Sequence, residues 1–140
     1  MLRVSAIGCL LIGFISGCAA NQVSLVDEGL VSVEKQNSEK VKIIGTDVYQ
    51  KDGQTWAYGF LKQQGYHPSS VKTHVDIQIL SKDGSVQYET VSEDVYVPRN
   101  RTGKGPNWKR FNVKLAWEIS EGVKIKMIVE HGGHVEKHSG

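Results

Sequence analysis

Val71-Lys72-Thr73-His74-Val75-Asp76-Ile77-Gln78-Ile79 places Val71, Thr73, Val75, Ile77 and Ile79 on one parity and Lys72, His74, Asp76 and Gln78 on the other. Successive side chains of an extended chain point to opposite faces, so this stretch offers one apolar face and one wet face. The same reading applies to Phe111, Val113, Leu115, Trp117 and Ile119, which alternate with Asn112, Lys114, Ala116 and Glu118. Val123, Ile125, Met127 and Val129 repeat it against Lys124, Lys126, Ile128 and Glu130. A helix would need apolar residues three and four apart, and these segments do not have that period. The inward parity of the last two segments, Trp117 included, is therefore the expected core.

Working outward, the connections agree with an all-β chain. Lys51-Asp52-Gly53-Gln54 and Lys82-Asp83-Gly84-Ser85 both set Asp-Gly between extended runs, where both positions of a tight hairpin turn tolerate positive φ. Ser120-Glu121-Gly122 is placed to close a final hairpin. Strands are expected near 41–50, 54–62, 70–80, 85–97, 107–118 and 122–131. The fourth breaks its own pattern, because Val86 and Tyr88 share a parity that Val91, Val95 and Val97 do not. A bulge or break near Val91 to Asp94 restores the inward face, as where an edge strand passes from one sheet to another. Six or seven antiparallel strands packed as a two-sheet sandwich are the expected fold, with a small closed β-barrel as the alternative. Over about residues 41–131 the spacing resembles immunoglobulin-like and fibronectin-III-like domains, a likeness of architecture without their buried cysteine pair.

The N-terminal segment has a different character. Met1-Leu2-Arg3 is a short basic start, Val4 to Ser16 is apolar, and no acidic residue precedes Asp27. That is the layout of a secretory signal and is too short for a spanning helix, which needs about 20 residues. The segment ends in Ile15-Ser16-Gly17-Cys18, which resembles the lipobox of bacterial lipoproteins: an aliphatic residue, two small ones and the cysteine that is acylated. The resemblance implies a signal peptide over 1–17, cleavage before Cys18 and a lipid on Cys18 that holds the chain at a membrane. With Ala19 and Ala20 in place of an aspartate after the cysteine, it further implies sorting to the periplasmic face of the outer membrane. The remaining organisation is then a polar tether over 18–40, with one short strand within Leu30 to Val33, a domain over 41–131 and a tail over 132–140.

Composition narrows the function. The 140 residues carry 17 basic and 15 acidic side chains, a net of +2 that does not support a general attraction to nucleic acid. Cys9 lies in the signal and Cys18 would carry lipid, so no thiol remains for a disulfide or a metal site. The densest charge cluster is Pro98 to Arg110, where Arg99, Arg101, Lys104, Lys109 and Arg110 surround Trp108 in a stretch rich in Gly and Pro. Loops on a rigid scaffold are where recognition residues concentrate, and the guanidinium fork suits carboxylate or phosphate. The plainer alternative is that these charges solvate a long connection. His131, His134 and His138 give a second reading, copper or zinc binding by the C-terminal tail, although no fixed element spaces them. Trp56, Tyr58 and Phe60 fall on one face at strand spacing and are expected in the core; facing solvent, they would suggest a carbohydrate platform. His74 is expected to point outward.

No nucleophile elbow, surviving cysteine or phosphate loop is present in the sequence, and an enzyme or a cofactor is not expected. The favoured expectation is a non-catalytic module at the membrane that binds an envelope protein or an anionic polymer through an exposed edge or the basic loop. Replacing Cys18→Ser should abolish metabolic labelling with fatty acid and stop processing, while Cys9→Ser leaves both intact; a Cys18 variant that still labels sinks the anchor.

Overall fold

The computed structural model describes residues 22–100 and 105–131. Nine strands form among them: β1 (Val23–Ser24), β2 (Val31–Gln36), β3 (Val41–Lys51), β4 (Gln54–Gln63), β5 (Val71–Leu80), β6 (Val86–Val91), β7 (Val95–Val97), β8 (Trp108–Leu115) and β9 (Val123–His131). They make two packed sheets, ordered β1-β3-β4-β8 and β2-β9-β5-β6, with β7 continuing beside β5. The result is an all-β sandwich and not a closed barrel. The apolar parities named above meet between the sheets: Ile77, Ile79, Ile125 and Met127 of one face Val48, Ala57, Leu61 and Phe111 of the other in a single cluster.

Turn chemistry follows the sequence in detail. Asp52 and Gly53 both have positive φ, 53° and 73°, as a two-residue hairpin between β3 and β4 requires. At the second Asp-Gly only Gly84 is left-handed, φ 87°, and the turn is wider. Asp83 there accepts hydrogen bonds from the hydroxyls of Ser81 and Ser85 and from the Ser85 N–H, which hold its carboxyl down to about 2.

Several expectations are corrected. The stretch 18–40 is not simply a tether: β1 pairs with β3, β2 pairs with β9, and Leu25 and Val31 are buried in the core. Those apolar side chains do better against the sandwich than in water. The β2–β9 pairing is parallel, so the second sheet is mixed rather than purely antiparallel. Ser120-Glu121-Gly122 closes no hairpin, because β8 and β9 lie in different sheets; the Gly122 N–H instead donates to the Leu30 carbonyl at 2.9 Å. The break at 92–94 is real but stays within one sheet, since β6 and β7 both pair with β5. Ser92 fills the gap: its N–H donates to the Val75 carbonyl and its hydroxyl accepts from the Val75 N–H, both at 2.9 Å.

Trp117 lies beyond the end of β8, 39 % exposed, and stacks on Tyr88 with ring centroids 5.8 Å apart. The Ala116 N–H donates to the Tyr88 hydroxyl, so the chain has left the strand before the alternation reaches Trp117. His74 lies on the outer parity yet is buried, with Nε2 3.5 Å from Asp76 and Nδ1 3.9 Å from Asp94 of the 92–94 segment that folds against it.

The largest correction concerns β4. Its buried side is Thr55, Ala57, Gly59, Leu61 and Gln63, and Trp56, Tyr58 and Phe60 stand half-buried on the outside. A Cβ on Gly59 would lie 2.6 Å from the Gly45 carbonyl oxygen and 2.7 Å from the Phe111 ring. At Gly59 the inner side of β4 has no room for a side chain, because the Phe111 ring of β8 and the Gly45 carbonyl already occupy the space. Gly59→Ala should therefore cost about 1–3 kcal/mol by overpacking, and Ile125→Ala about 2–5 kcal/mol by cavity formation. Lys124→Ala should cost under about 0.5 kcal/mol, and Trp117→Ala less than Ile125→Ala. Denaturant titration of the four variants checks this order; a Gly59→Ala protein as stable as the parent would refute the packing described.

Candidate functional site

The register of β3, β4 and β8 decides which side chains share the outer face. Tyr49 pairs with Trp56, Asp47 with Tyr58 and Gly45 with Phe60, after a bulge at Ile44 that resets the parity of β3. On the other side Trp56 pairs with Lys114, Tyr58 with Asn112, Phe60 with Arg110 and Lys62 with Trp108. Directly paired residues project to the same side, so these residues form one surface.

Aromatic rings run along it edge to face. Ring centroids are 5.5 Å apart for Tyr49 and Tyr58, 6.1 Å for Tyr58 and Phe60, and 4.8 Å for Phe60 and Trp108. The Arg110 guanidinium lies over the Tyr58 ring, 4.7 Å from its centroid. A cation over a ring face gains electrostatic energy from the quadrupole, about 0.5–1 kcal/mol at an exposed site. Held there, Arg110 is still solvent-exposed and keeps N–H groups to offer.

Charge on this face is one-sided. Lys42, Lys51, Lys62, Arg110 and Lys114 share the outer parity of β3, β4 and β8, and the acidic residue among them is Asp47. Asp47 accepts hydrogen bonds from the Ser24 hydroxyl at 2.6 Å and the Val48 N–H at 2.8 Å. One carboxylate oxygen thus accepts from both β1 and the neighbouring amide, and the five cations outnumber this single acid.

The basic stretch read from sequence is divided by the structure. Trp108, 43 % exposed, and Arg110 belong to the outer face, while Lys109 has the opposite parity; along the edge of β8 both Lys109 and Arg110 border a groove of about 300 Å³ with Glu93, Asp94 and Tyr96. Arg99 lines a separate cleft of about 430 Å³ with Pro68, Ser69, Ser70, Pro98, Pro106 and Asn107. Arg101 and Lys104 lie outside the described residues, as do Cys18, His134 and His138; of His131 only the strand backbone is described. Among the described residues no group of three His, Cys, Asp or Glu is placed to hold a metal ion.

The root of the basic stretch is fixed by two amides. Gln63, 1 % exposed, donates through Nε2 to the Ser69 carbonyl at 2.9 Å and the Val97 carbonyl at 3.1 Å. Asn100 donates through Nδ2 to the carbonyls of Gln63 and Gly65 at 3.0 and 3.2 Å. Polar residues at the end of β4 thus tie together the 64–70 and 98–100 segments.

Sequence reasoning missed Tyr58, Phe60, Lys62 and Lys114 as surface partners of Trp108 and Arg110. No local signal in β4 decides between its faces: Gln54 and Lys62 end the outer parity, and Thr55 and Gln63, also polar, end the buried one. No protein-family model, curated protein or solved structure matches the chain. Gln63→Leu should remove the Nε2 donor from the Ser69 and Val97 carbonyls, at about 1–3 kcal/mol, and should speed amide exchange at Arg99 and Asn100 while leaving β5 and β9 protected. Unchanged exchange there would show that the amides do not fix the loop.

Proposed function

We propose that this chain is a lipid-anchored, non-catalytic module that works outside the cytoplasm and recognises an anionic component of the cell envelope. The surface assigned to this task is the outer face of the β1-β3-β4-β8 sheet at its basic end. The observation that carries the reading is Arg110 laid on Tyr58 beside Trp108 and Phe60, an arginine positioned by a rigid sheet instead of a loop. A guanidinium ordered in this way loses less freedom when it meets phosphate or carboxylate than one on a free side chain. The unbalanced cations around it add a longer-range attraction, and the lipobox-like Ile15-Ser16-Gly17-Cys18 supplies the location.

The ring geometry also bears on the chemistry of the partner. Rings packed edge to face, with Arg110 over Tyr58, do not present a row of coplanar faces for sugar stacking. Charge recognition with aromatic support suits this surface better than a neutral glycan.

The test uses the Cys18→Ser protein, which lacks the proposed anchor, so that capture on isolated envelope reports the surface alone. Lys62→Gln with Arg110→Gln should weaken capture several-fold at low salt. The difference should vanish near 1 M salt, where the screening length falls to about 3 Å. Melting should be nearly unchanged, since exposed charges contribute little to stability. Capture of the double variant equal to that of its parent at low salt would remove this face from consideration.

A further inference from the structure

Two ends of the sandwich differ in charge and in their distance from the proposed anchor. Val23 pairs with Gln50, so β1 begins at the end where β3 turns into β4. The same end holds the 25–30 turn, the 81–85 turn and the 116–122 crossing, because Leu80 pairs with Lys124 and Thr55 with Leu115. Lys51, Lys82, Lys114 and Lys124 stand there against Asp27, Glu28, Asp52, Asp83, Glu118 and Glu121. At the opposite end Lys40, Lys42, Lys62, Arg99, Lys109 and Arg110 stand against Glu39 and Glu93. Asp94, on the other sheet, is paired with Lys72 at 3.4 Å. The molecule is nearly neutral as a whole and polar along its length.

The distances matter. Four residues, 19–22, separate Cys18 from β1, so full extension allows at most about 18 Å between Cys18 and Val23 at about 3.6 Å per residue. The eleven residues of β3 span about 33 Å at about 3.3 Å per residue. An anchored sandwich standing upright would hold its acidic end against the bilayer and its basic end far from it. An anionic leaflet repels the first and attracts the second, and the short connection does not let the molecule turn over. Lying on one side satisfies both constraints, and one side is suited to it: the outer face of the β1-β3-β4-β8 sheet. It carries Trp56, Tyr58, Phe60 and Trp108 among Lys42, Lys62, Arg110 and Lys114. Trp and Tyr are favoured where one end of a ring is apolar and the other wet, and Lys and Arg stems reach across such a boundary to phosphate.

We propose that this face lies on the anionic headgroups of the same bilayer that holds Cys18. This rests on the anchored reading given above and names the anionic component as lipid phosphate. The contact needs little intrinsic affinity, because the anchor keeps the headgroups at a high effective concentration beneath the face. Each cation near an anionic surface contributes roughly a fivefold factor in binding.

The experiment uses the full lipidated protein reconstituted in vesicles, with a dye on Lys114→Cys or Tyr96→Cys and an energy acceptor on the lipid headgroups. Lys114 is exposed on the proposed face, and Tyr96, 59 % exposed, is on the outer side of the other sheet. Sheets pack about 10 Å apart, so the two dyes differ in height by at least that much if the face is down. In vesicles containing phosphatidylglycerol, transfer from position 114 should exceed transfer from position 96 by at least about twofold. The difference should disappear in pure phosphatidylcholine, near 1 M salt, and in a Lys62→Glu, Arg110→Glu variant. Equal transfer from both positions, or greater transfer from 96, overturns the proposal. If the labelled protein instead shows no preference for its bilayer and is retained by a purified anionic envelope polysaccharide, the occupant is the polymer. Flotation with the vesicles reports the anchor separately: protein that floats without the positional difference refutes the face alone. Protein that does not float removes the anchor and the proposal with it.

Discussion

The close approach of Phe111 to Gly59 governs much of this molecule. With the Phe111 ring filling the space where a Gly59 side chain would begin, the middle of the inner side of β4 admits no side chain, and the larger Leu61 and Gln63 are buried only beyond it. The large aromatics of β4 are therefore outside. Once there, Tyr58 packs edge to face with Phe60 and Tyr49, and the Arg110 guanidinium rests on its ring from the neighbouring strand. The core and the candidate surface are thus two outcomes of one packing decision. A substitution that enlarges position 59 would disturb both, since β4 and β8 would have to separate and the Phe60–Trp108 contact spans that pair.

Rigidity is the second theme. Loops usually carry recognition because they are variable, and they lose order entropy when they bind. Here the side chains best placed for an anion are on strands, Lys62 on β4 between two partners and Arg110 on the edge strand β8 held in register by β4, and residues 98–100 are tied down by Gln63 and Asn100. Arg110 is oriented before any partner arrives. A sheet surface of this kind trades adaptability for geometry held by its own backbone.

The strands were legible in the sequence because period-two alternation survives wherever one face is buried and the other is wet. β5 and β9 show this cleanly, and Asp52-Gly53 announced its hairpin by the one chemistry that permits two positive φ values in succession. The faces of β4 were not legible, since both parities contain apolar residues. Volume against Phe111, a residue about fifty positions away, decides between them. Pairing across the sandwich was equally hidden. Nothing local in Val31 to Gln36 says that it lies parallel to β9, nor in Ser120 to Gly122 that the chain is changing sheets. Of the candidate site, Trp108 and Arg110 were found through charge density, while Tyr58, Phe60, Lys62 and Lys114 required the register.

The parallel pairing of β2 with β9 joins the first long strand of the domain to the last. A contact between segments so distant in sequence forms late, because the loop between them must close before the contact gives anything back. β2 has no partner until residues beyond 123 have been made, and until then its backbone donors and acceptors are a bare edge. A chain cut short anywhere before β9 cannot hide that edge or bury Val31. Copies that lack β9 are therefore exposed to strand pairing with one another and to proteases, and the edge is covered only in chains that include it.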